Sequence, residues 1–329
     1  MVKGDAASPL LLSCRPTVCK LAFVIWDNLC KVAARMNDQP MPQAGMLRQD
    51  LAVLTKVRLN TFVLVTTFFG YFLGSRTMGW DGMKLLHTII GTAAAAFGSA
   101  AFNQLMEIDL DARMARTANR PLPAKRMDVL VAFAIGVLLS AFGLVHLSVM
   151  VNKMSAVLAL ITLVTYVFLY TPMKRKHSVN TLIGAVPGAI PPMIGWTAAG
   201  GALDATAWFL FALLFLWQLP HFIAINWMCR EEYETAGYRM WSNGDVSGVK
   251  SARLCLIFSA CLALLPLWPY VTGHVTWPWL AGGLLLGARM MGLSRNFGKV
   301  GDRPSARRLF LYTLIYLPVA LGLLVFCWR

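Results

Sequence analysis

From residue 59 to the C-terminus the chain alternates long apolar blocks with short polar segments. Nine blocks stand out, near 59–79, 85–103, 129–149, 154–171, 181–200, 206–226, 254–272, 276–292 and 309–328. At a helical rise of about 1.5 Å per residue, each is close to the length that crosses a hydrocarbon core of about 30 Å. The pattern predicts an all-α, polytopic membrane helical bundle of about nine transmembrane helices. The second block is lined by Gly91, Ala93, Ala94, Ala95, Ala96, Gly98, Ala100 and Ala101; small residues let backbones approach closely in lipid, so this span is expected at the centre. The fifth contains Gly184, Pro187, Gly188, Pro191, Pro192 and Gly195. It should be kinked or broken, with freed carbonyls facing protein or a polar cavity. Trp268, Tyr270, Trp277 and Trp279 are expected to form an aromatic belt at the outer interface.

Composition agrees: 57% of the 329 residues are hydrophobic and 14% charged, against about 25% charged in soluble domains. The net charge of +15 is explained by its placement. Of the 30 Lys and Arg, all but Arg76, Lys84, Lys153 and Arg329 precede the first span, lie in the loops after spans 2, 4, 6 and 8, or close span 8. The positive-inside rule then puts the N-terminus and those loops in the cytoplasm and the C-terminus on the opposite side. No nucleic-acid partner is needed. The seven cysteines form no CxxC or CxxCH, which argues against a zinc ribbon or covalently held c-type haem. Residues 1–55 read as an N-terminal cytoplasmic extension, partly disordered or interfacial, or as a start codon assigned too early; 56–329 form the membrane domain. Val18 to Trp26 is too short to span, and no signal-peptide cleavage site follows it. A compact chain without a transit-like leader favours a bacterial inner membrane.

The chemistry is concentrated in segments after spans 2, 4 and 6. Asn103 to Pro123 (NQLMEIDLDARMARTANRPLP) follows an almost purely small, apolar run. Charge at such a depth is costly and marks a functional site. If the span 2 helix continues, Asn103, Glu107 and Asp111 fall at about 0°, 40° and 80°, a polar stripe about 12 Å long. Carboxylates with an amide suit Mg²⁺, which takes a few carboxylates together with waters and substrate phosphate. Asp109 points away, toward Arg113 and Arg116. Arg116 and Arg120 suit a phosphate, because guanidinium forks match its oxygens. The competing reading is a salt-bridge network that only anchors the loop.

After span 4, Tyr170 and Lys174 share a helix face if the turn persists through Pro172, and Asn180 follows. Lys174 can neutralise a phosphate; equally, a tyrosine followed by Lys–Arg–Lys is the usual end of a cytoplasmic span. After span 6, Gln218, His221 and Glu232 make a second polar stripe: eleven residues separate His221 from Glu232, only about 20° out of helical register. Taken singly, His221 reads as a satisfied core histidine; the stripe shifts it toward function. His87, His146, His177 and His274 lack such company.

Asn103-xxx-Glu107-xxx-Asp111, Arg116-Thr117 and Arg120-Pro-Leu-Pro123 resemble the first acidic motif of the UbiA superfamily of intramembrane prenyltransferases. Tyr170-Thr-Pro-x-Lys174, Gly188-Ala-x-Pro-Pro192, Trp217-Gln-x-Pro-His221-Phe222 and Tyr233-xx-Ala-Gly237-xx-Met240 resemble the branch whose prenyl acceptor is haem. The resemblance covers about residue 50 to the C-terminus. It implies farnesyl diphosphate and protohaem IX (haem B) as substrates, with haem B a substrate rather than a cofactor. It also implies Mg²⁺ held by Asn103, Glu107, Asp111 and Glu232, and diphosphate stabilised by Arg116, Arg120, Lys174 and Arg58. Tyr170 and His221 join the catalytic set, and Asn180, Gln218 and His221 the haem-binding set. A downstream haem A synthase or terminal oxidase assembly is the implied protein partner. Glu107 and Glu232 stand where the family usually carries Asp, which keeps the charge and lengthens the reach. The rival readings are prenylation of an aromatic quinone precursor and, in another class, a polytopic transporter.

Overall fold

A computed structural model describes residues 44–329. The features expected of Val18 to Trp26, and of residues 1–43 generally, lie outside the described residues. Helix α1 is Ala44–Leu54 and α2 Val57–Met78. Lys56, between them, takes a left-handed backbone at φ 49°, a conformation that non-glycine residues rarely adopt. Helix α3 (Gly82–Met106) is followed by the single turn α4 (Ile108–Asp111), then α5 (Val129–Met150) and α6 (Lys153–Val164). The last runs through a π-helical stretch, Thr165–Tyr170, into α7 (Thr171–Met173). Helices α8 (Asn180–Ala189), α9 (Pro191–Ala199), α10 (Ala205–Met228) and α11 (Arg230–Ala236) follow. The chain ends with α12 (Val249–Leu264), α13 (Leu267–Val271), α14 (Trp277–Val300) and α15 (Arg303–Cys327). Asp81, Asp128, Asn152, Asp204 and Asp302 cap α3, α5, α6, α10 and α15, each side chain accepting from a first-turn N–H, as good N-caps do.

Among the described residues eight helices are long and apolar enough to cross a membrane, one fewer than the nine expected. The exception is α14, interrupted by Arg289, Arg295 and Lys299. It nevertheless runs from one end of the bundle to the other. Thr276 N–H donates to the Cys327 carbonyl at 3.0 Å at one end, and Gly301 lies against the Ser247 carbonyl at the other. The C-terminus is tied to the end remote from Lys56: Arg329 N–H donates to His274 at 2.9 Å, and Arg76, at the far end of α2, donates to the Val325 carbonyl at 2.6 Å.

The expected break in span 5 occurs at Ile190, between α8 and α9, where Pro191 and Pro192 remove two donors. This broken span, rather than small-residue-rich α3, is the most buried of the eight. Gly195 explains the close approach of α9 to α2, since a Cβ there would lie 1.9 Å from the Thr67 carbonyl oxygen. The aromatic belt is only partial: Trp277 and Tyr270 are exposed, but Trp279 is buried in edge contact with Phe209.

Candidate active site

The segments after spans 2, 4 and 6 converge at one end of the bundle. The helical hydrogen-bond ladder of α3 carries on past its formal end: Glu107 N–H donates to the Asn103 carbonyl at 3.2 Å, and Asp111 N–H to the Glu107 carbonyl at 2.7 Å. Asn103, Glu107 and Asp111 therefore keep the expected stripe. All three are buried, at 0%, 4% and 1% exposure, whereas Asp109 is exposed. Each member of the stripe has a partner from elsewhere in the site. Lys56 Nζ donates to Asn103 Oδ1 and, at 3.1 Å, to the Tyr166 hydroxyl. Asn103 Nδ2 donates to Thr171 Oγ1 at 2.9 Å. Lys174 Nζ pairs with Glu107 Oε1 at 2.8 Å, and Arg120 Nη1 with Asp111 Oδ2 at 2.6 Å. Thr117 Oγ1 pins the turn by donating to the Asp111 carbonyl at 2.8 Å.

The π-helical stretch positions the next layer. A π-bulge adds a residue to the turn and is frequent at functional sites. Here it stacks Tyr166 on Tyr170, with ring centroids 5.6 Å apart. Lys174 Nζ sits 4.5 Å from the Tyr170 centroid, within cation–π range. Tyr170 fits because residue 184 is glycine: a Cβ there would meet its ring at 2.5 Å.

Burial disfavours ionisation of Glu107, but Lys174 and Lys56 outweigh it and hold the carboxyl below its ordinary range. Burial dominates at Asp111 and raises it despite Arg120. Lys56 is pushed down to about 7 by burial and by Lys174, with Glu107 opposing. Lys174 stands well above its ordinary value: burial pulls it down, and Glu107 and the tyrosines more than compensate. Burial, then Glu107, pushes the Tyr238 hydroxyl far up, so it stays a donor. Lys174 and Arg120 thus pair with the two carboxylates, and Lys56, poised near neutral pH, stands over them as a third basic group. An anion entering here would hold Lys56 protonated and meet three basic side chains, so the cluster suits an anionic ligand.

Lys56 is the residue that sequence reasoning missed. Arg58, expected here, is exposed on α2. The left-handed turn at residue 56 aims Lys56 inward, and nothing in LTKVR announces it. Arg116 lies at the edge, exposed, donating to the Tyr233 hydroxyl at 3.2 Å. Glu232 is exposed. No group of three His, Cys, Asp or Glu able to hold a metal occurs among the described residues, so Glu107 and Asp111 stand as a pair rather than in the four-ligand set that included Glu232.

Asn180 and Gln218 serve as ties. Buried Asn180 donates to the His177 carbonyl at 2.8 Å and the Arg239 carbonyl at 2.6 Å, joining the loops after spans 4 and 6. Buried Gln218 donates to the Ala185 carbonyl at 2.7 Å and so clamps the broken span. His221 is stacked between Trp217 and Phe310, at 5.6 and 4.7 Å. Its Nδ1 lies 2.8 Å from Thr313 Oγ1. Thr313 donates its own proton to the Phe310 carbonyl at 2.6 Å. The imidazole must therefore be the donor at Nδ1, which leaves the Nε2 lone pair free. Of the remaining histidines, His87 and His146 do find company, in each other, at 3.2 Å.

Residues 63–322 match the UbiA prenyltransferase family. The chain belongs to this family of membrane prenyltransferases. Among relatives, the protoheme IX farnesyltransferase of Solibacter usitatus is 41% identical over 285 residues, covering 84% of this chain and 98% of that protein. Among solved structures, a digeranylgeranylglyceryl phosphate synthase shares the fold with a TM-score of 0.72 at 17% identity, over 85% of this chain and 97% of that one. A UbiA homologue from Archaeoglobus fulgidus bound to GPP and Mg²⁺ aligns with a TM-score of 0.57 at 11% identity, over 84% and 99%.

Proposed function

We propose that this prenyltransferase moves a farnesyl group from farnesyl diphosphate to a vinyl group of protohaem IX, giving haem O. The observation that carries the diphosphate half is the convergence of three basic side chains, Lys56, Lys174 and Arg120, on Asn103, Glu107 and Asp111. The haem half rests on the relatives and on the Trp217 to Phe222 segment. Lys56, Lys174 and Arg120 bind the diphosphate and stabilise the charge that develops as the allylic C–O bond breaks and its electron pair leaves with oxygen. Arg116 reaches it from the rim. The vinyl group attacks the allylic cation, and water adds to the new cation with loss of a proton, completing the hydroxyethylfarnesyl group. Tyr170 orders the Lys174 ammonium.

Mg²⁺ fits the donor set. It keeps several waters and needs only one or two carboxylates beside substrate phosphates, which Glu107 and Asp111, with the Asn103 amide oxygen, supply without a third carboxylate. Bound there, it adds charge neutralisation at the diphosphate oxygens. His221, with Nε2 free between two aromatic rings, faces the acceptor, and Asn180 and Gln218 hold the walls. The basic end lies in the cytoplasm of a bacterial inner membrane, and haem O passes to a haem A synthase or oxidase-assembly step. Mass spectrometry of haems in cells expressing the chain tests the reading: haem O should accumulate. A prenylated phenol without farnesylated haem would sink it.

A further inference from the structure

We infer that the basic end of α12 holds the headgroup of an acidic phospholipid. Two adjoining open grooves lie there. One, of about 410 Å³, is lined by Lys176, Arg239 and Lys250. The other, of about 510 Å³, shares Lys250 and adds Arg253, Trp241 and Val249. None of the four cations has an ion-pair partner among the described residues. The carboxylate that lines the second groove, Asp245, is buried and turned into the start of α12, accepting from Ser251 N–H at 2.8 Å and Lys250 N–H at 3.4 Å. It makes no ion pair with the four cations among the described residues.

The surface below the grooves decides the ligand. α12 belongs to a membrane-crossing span and presents Val249, Ile257 and Leu264, at 45%, 50% and 61% exposure. Their spacing of eight and then seven residues keeps them on one helix face. The cations therefore crown a lipid-facing stripe, where a headgroup phosphate can sit while its acyl chains follow the stripe. A soluble phosphate would leave Trp241 and Val249 unused, and a choline headgroup would bring a fifth cation to the cluster. The site is also wired to the diphosphate cluster: Arg239 N–H donates to the Lys174 carbonyl at 2.8 Å, and Asn180 holds the Arg239 carbonyl. An occupied site steadies the segment that carries Lys174.

Native mass spectrometry of the full chain, released from nanodiscs of mixed phosphatidylglycerol and phosphatidylcholine, tests this. The wild type should retain phosphatidylglycerol preferentially, and each of Arg239→Gln, Lys250→Gln and Arg253→Gln should weaken retention about fivefold, the effect of about one interfacial charge. Equal retention of the two lipids by the wild type, or undiminished retention by the triple variant, overturns the proposal. So does displacement of the lipid by inorganic phosphate, which would make this a soluble-anion site. Should the triple variant not fold, the wild type alone still decides: phosphatidylglycerol bound through charge must be released as ionic strength rises, and salt-independent retention refutes the assignment.

Discussion

Lys174 and Glu107, from loops 67 residues apart in sequence, meet at 2.8 Å in a buried ion pair. The pair joins the acidic motif after span 2 to the basic turn after span 4. Removing one partner of such a pair costs about 3–5 kcal/mol, because the other is left buried and uncompensated. Lys174→Met should therefore lower the thermal unfolding temperature as well as abolish diphosphate release. The double variant Glu107→Gln, Lys174→Met should recover stability but not activity. Unfolding in detergent, read beside diphosphate release, checks both.

Asp111→Asn keeps the size of the side chain and removes its charge. Prenyl transfer should fall by about 10²–10³-fold, the usual loss when one electrostatic contributor to a transition state goes, with the fold retained. Transfer that persists with an unchanged Mg²⁺ dependence would remove Asp111 from any metal role.

Lys56 and Arg58 make opposite predictions. Lys56→Gln removes an amine held by Asn103 and Tyr166, which a bound diphosphate keeps charged, and should raise the KM for prenyl diphosphate about tenfold or more, since a charge-assisted hydrogen bond contributes about 1.5–3 kcal/mol. Arg58→Gln, on an exposed face, should leave KM within about twofold, as surface changes usually do. Steady-state kinetics with varied prenyl diphosphate separates them.

The contrast between these two residues shows what could be read from the chain. Span positions were legible because lipid tolerates only long apolar helices with satisfied backbones. The break in span 5 was legible because proline lacks the donor a helix needs. The stripe Asn103, Glu107, Asp111 followed from helical periodicity, which outlasts the formal end of α3. The orientation of Lys56 did not follow, because it depends on a left-handed backbone at a non-glycine residue. The resemblance implies Asn180 and Gln218 as haem contacts; their amide nitrogens hold carbonyls, ties fixed by tertiary packing, which sequence spacing does not encode. Glu232 follows a junction at Cys229 like the one at Glu107, where Tyr233 N–H still reaches the Cys229 carbonyl at 3.1 Å, yet it is exposed, and periodicity does not encode exposure.

Thr313 orients His221, so Thr313→Val should perturb the acceptor side of the reaction and spare the donor side. The KM for haem should rise with little change in that for farnesyl diphosphate, and Thr313→Ser should restore it. Equal effects on both substrates would reduce the Thr313 contact to a packing role.

Gly195→Ala tests the α2–α9 contact. The new Cβ would fall 1.9 Å from a backbone oxygen, which no side-chain motion relieves. Overpacking typically costs about 1–3 kcal/mol, and a backbone clash should reach at least the upper end, measured as loss of folded protein in detergent.

The π-helical turn at Thr165–Tyr170 also changes the phase of the helix that contains it. Upstream, Leu160, Ile161 and Val164 look outward at 44%, 43% and 40% exposure; downstream, Lys174 points at Glu107. One extra residue rotates everything beyond it by about 100°. Deleting a single residue within the turn would heal the helix into ordinary α geometry, leave its apolar length sufficient to span, and swing Lys174 about a quarter of a turn off target. The helix would still insert, its hydrophobicity would be nearly unchanged, and the enzyme would be silent. Activity at this site is thus a frame carried by one inserted residue, invisible to any measure of how apolar the span is.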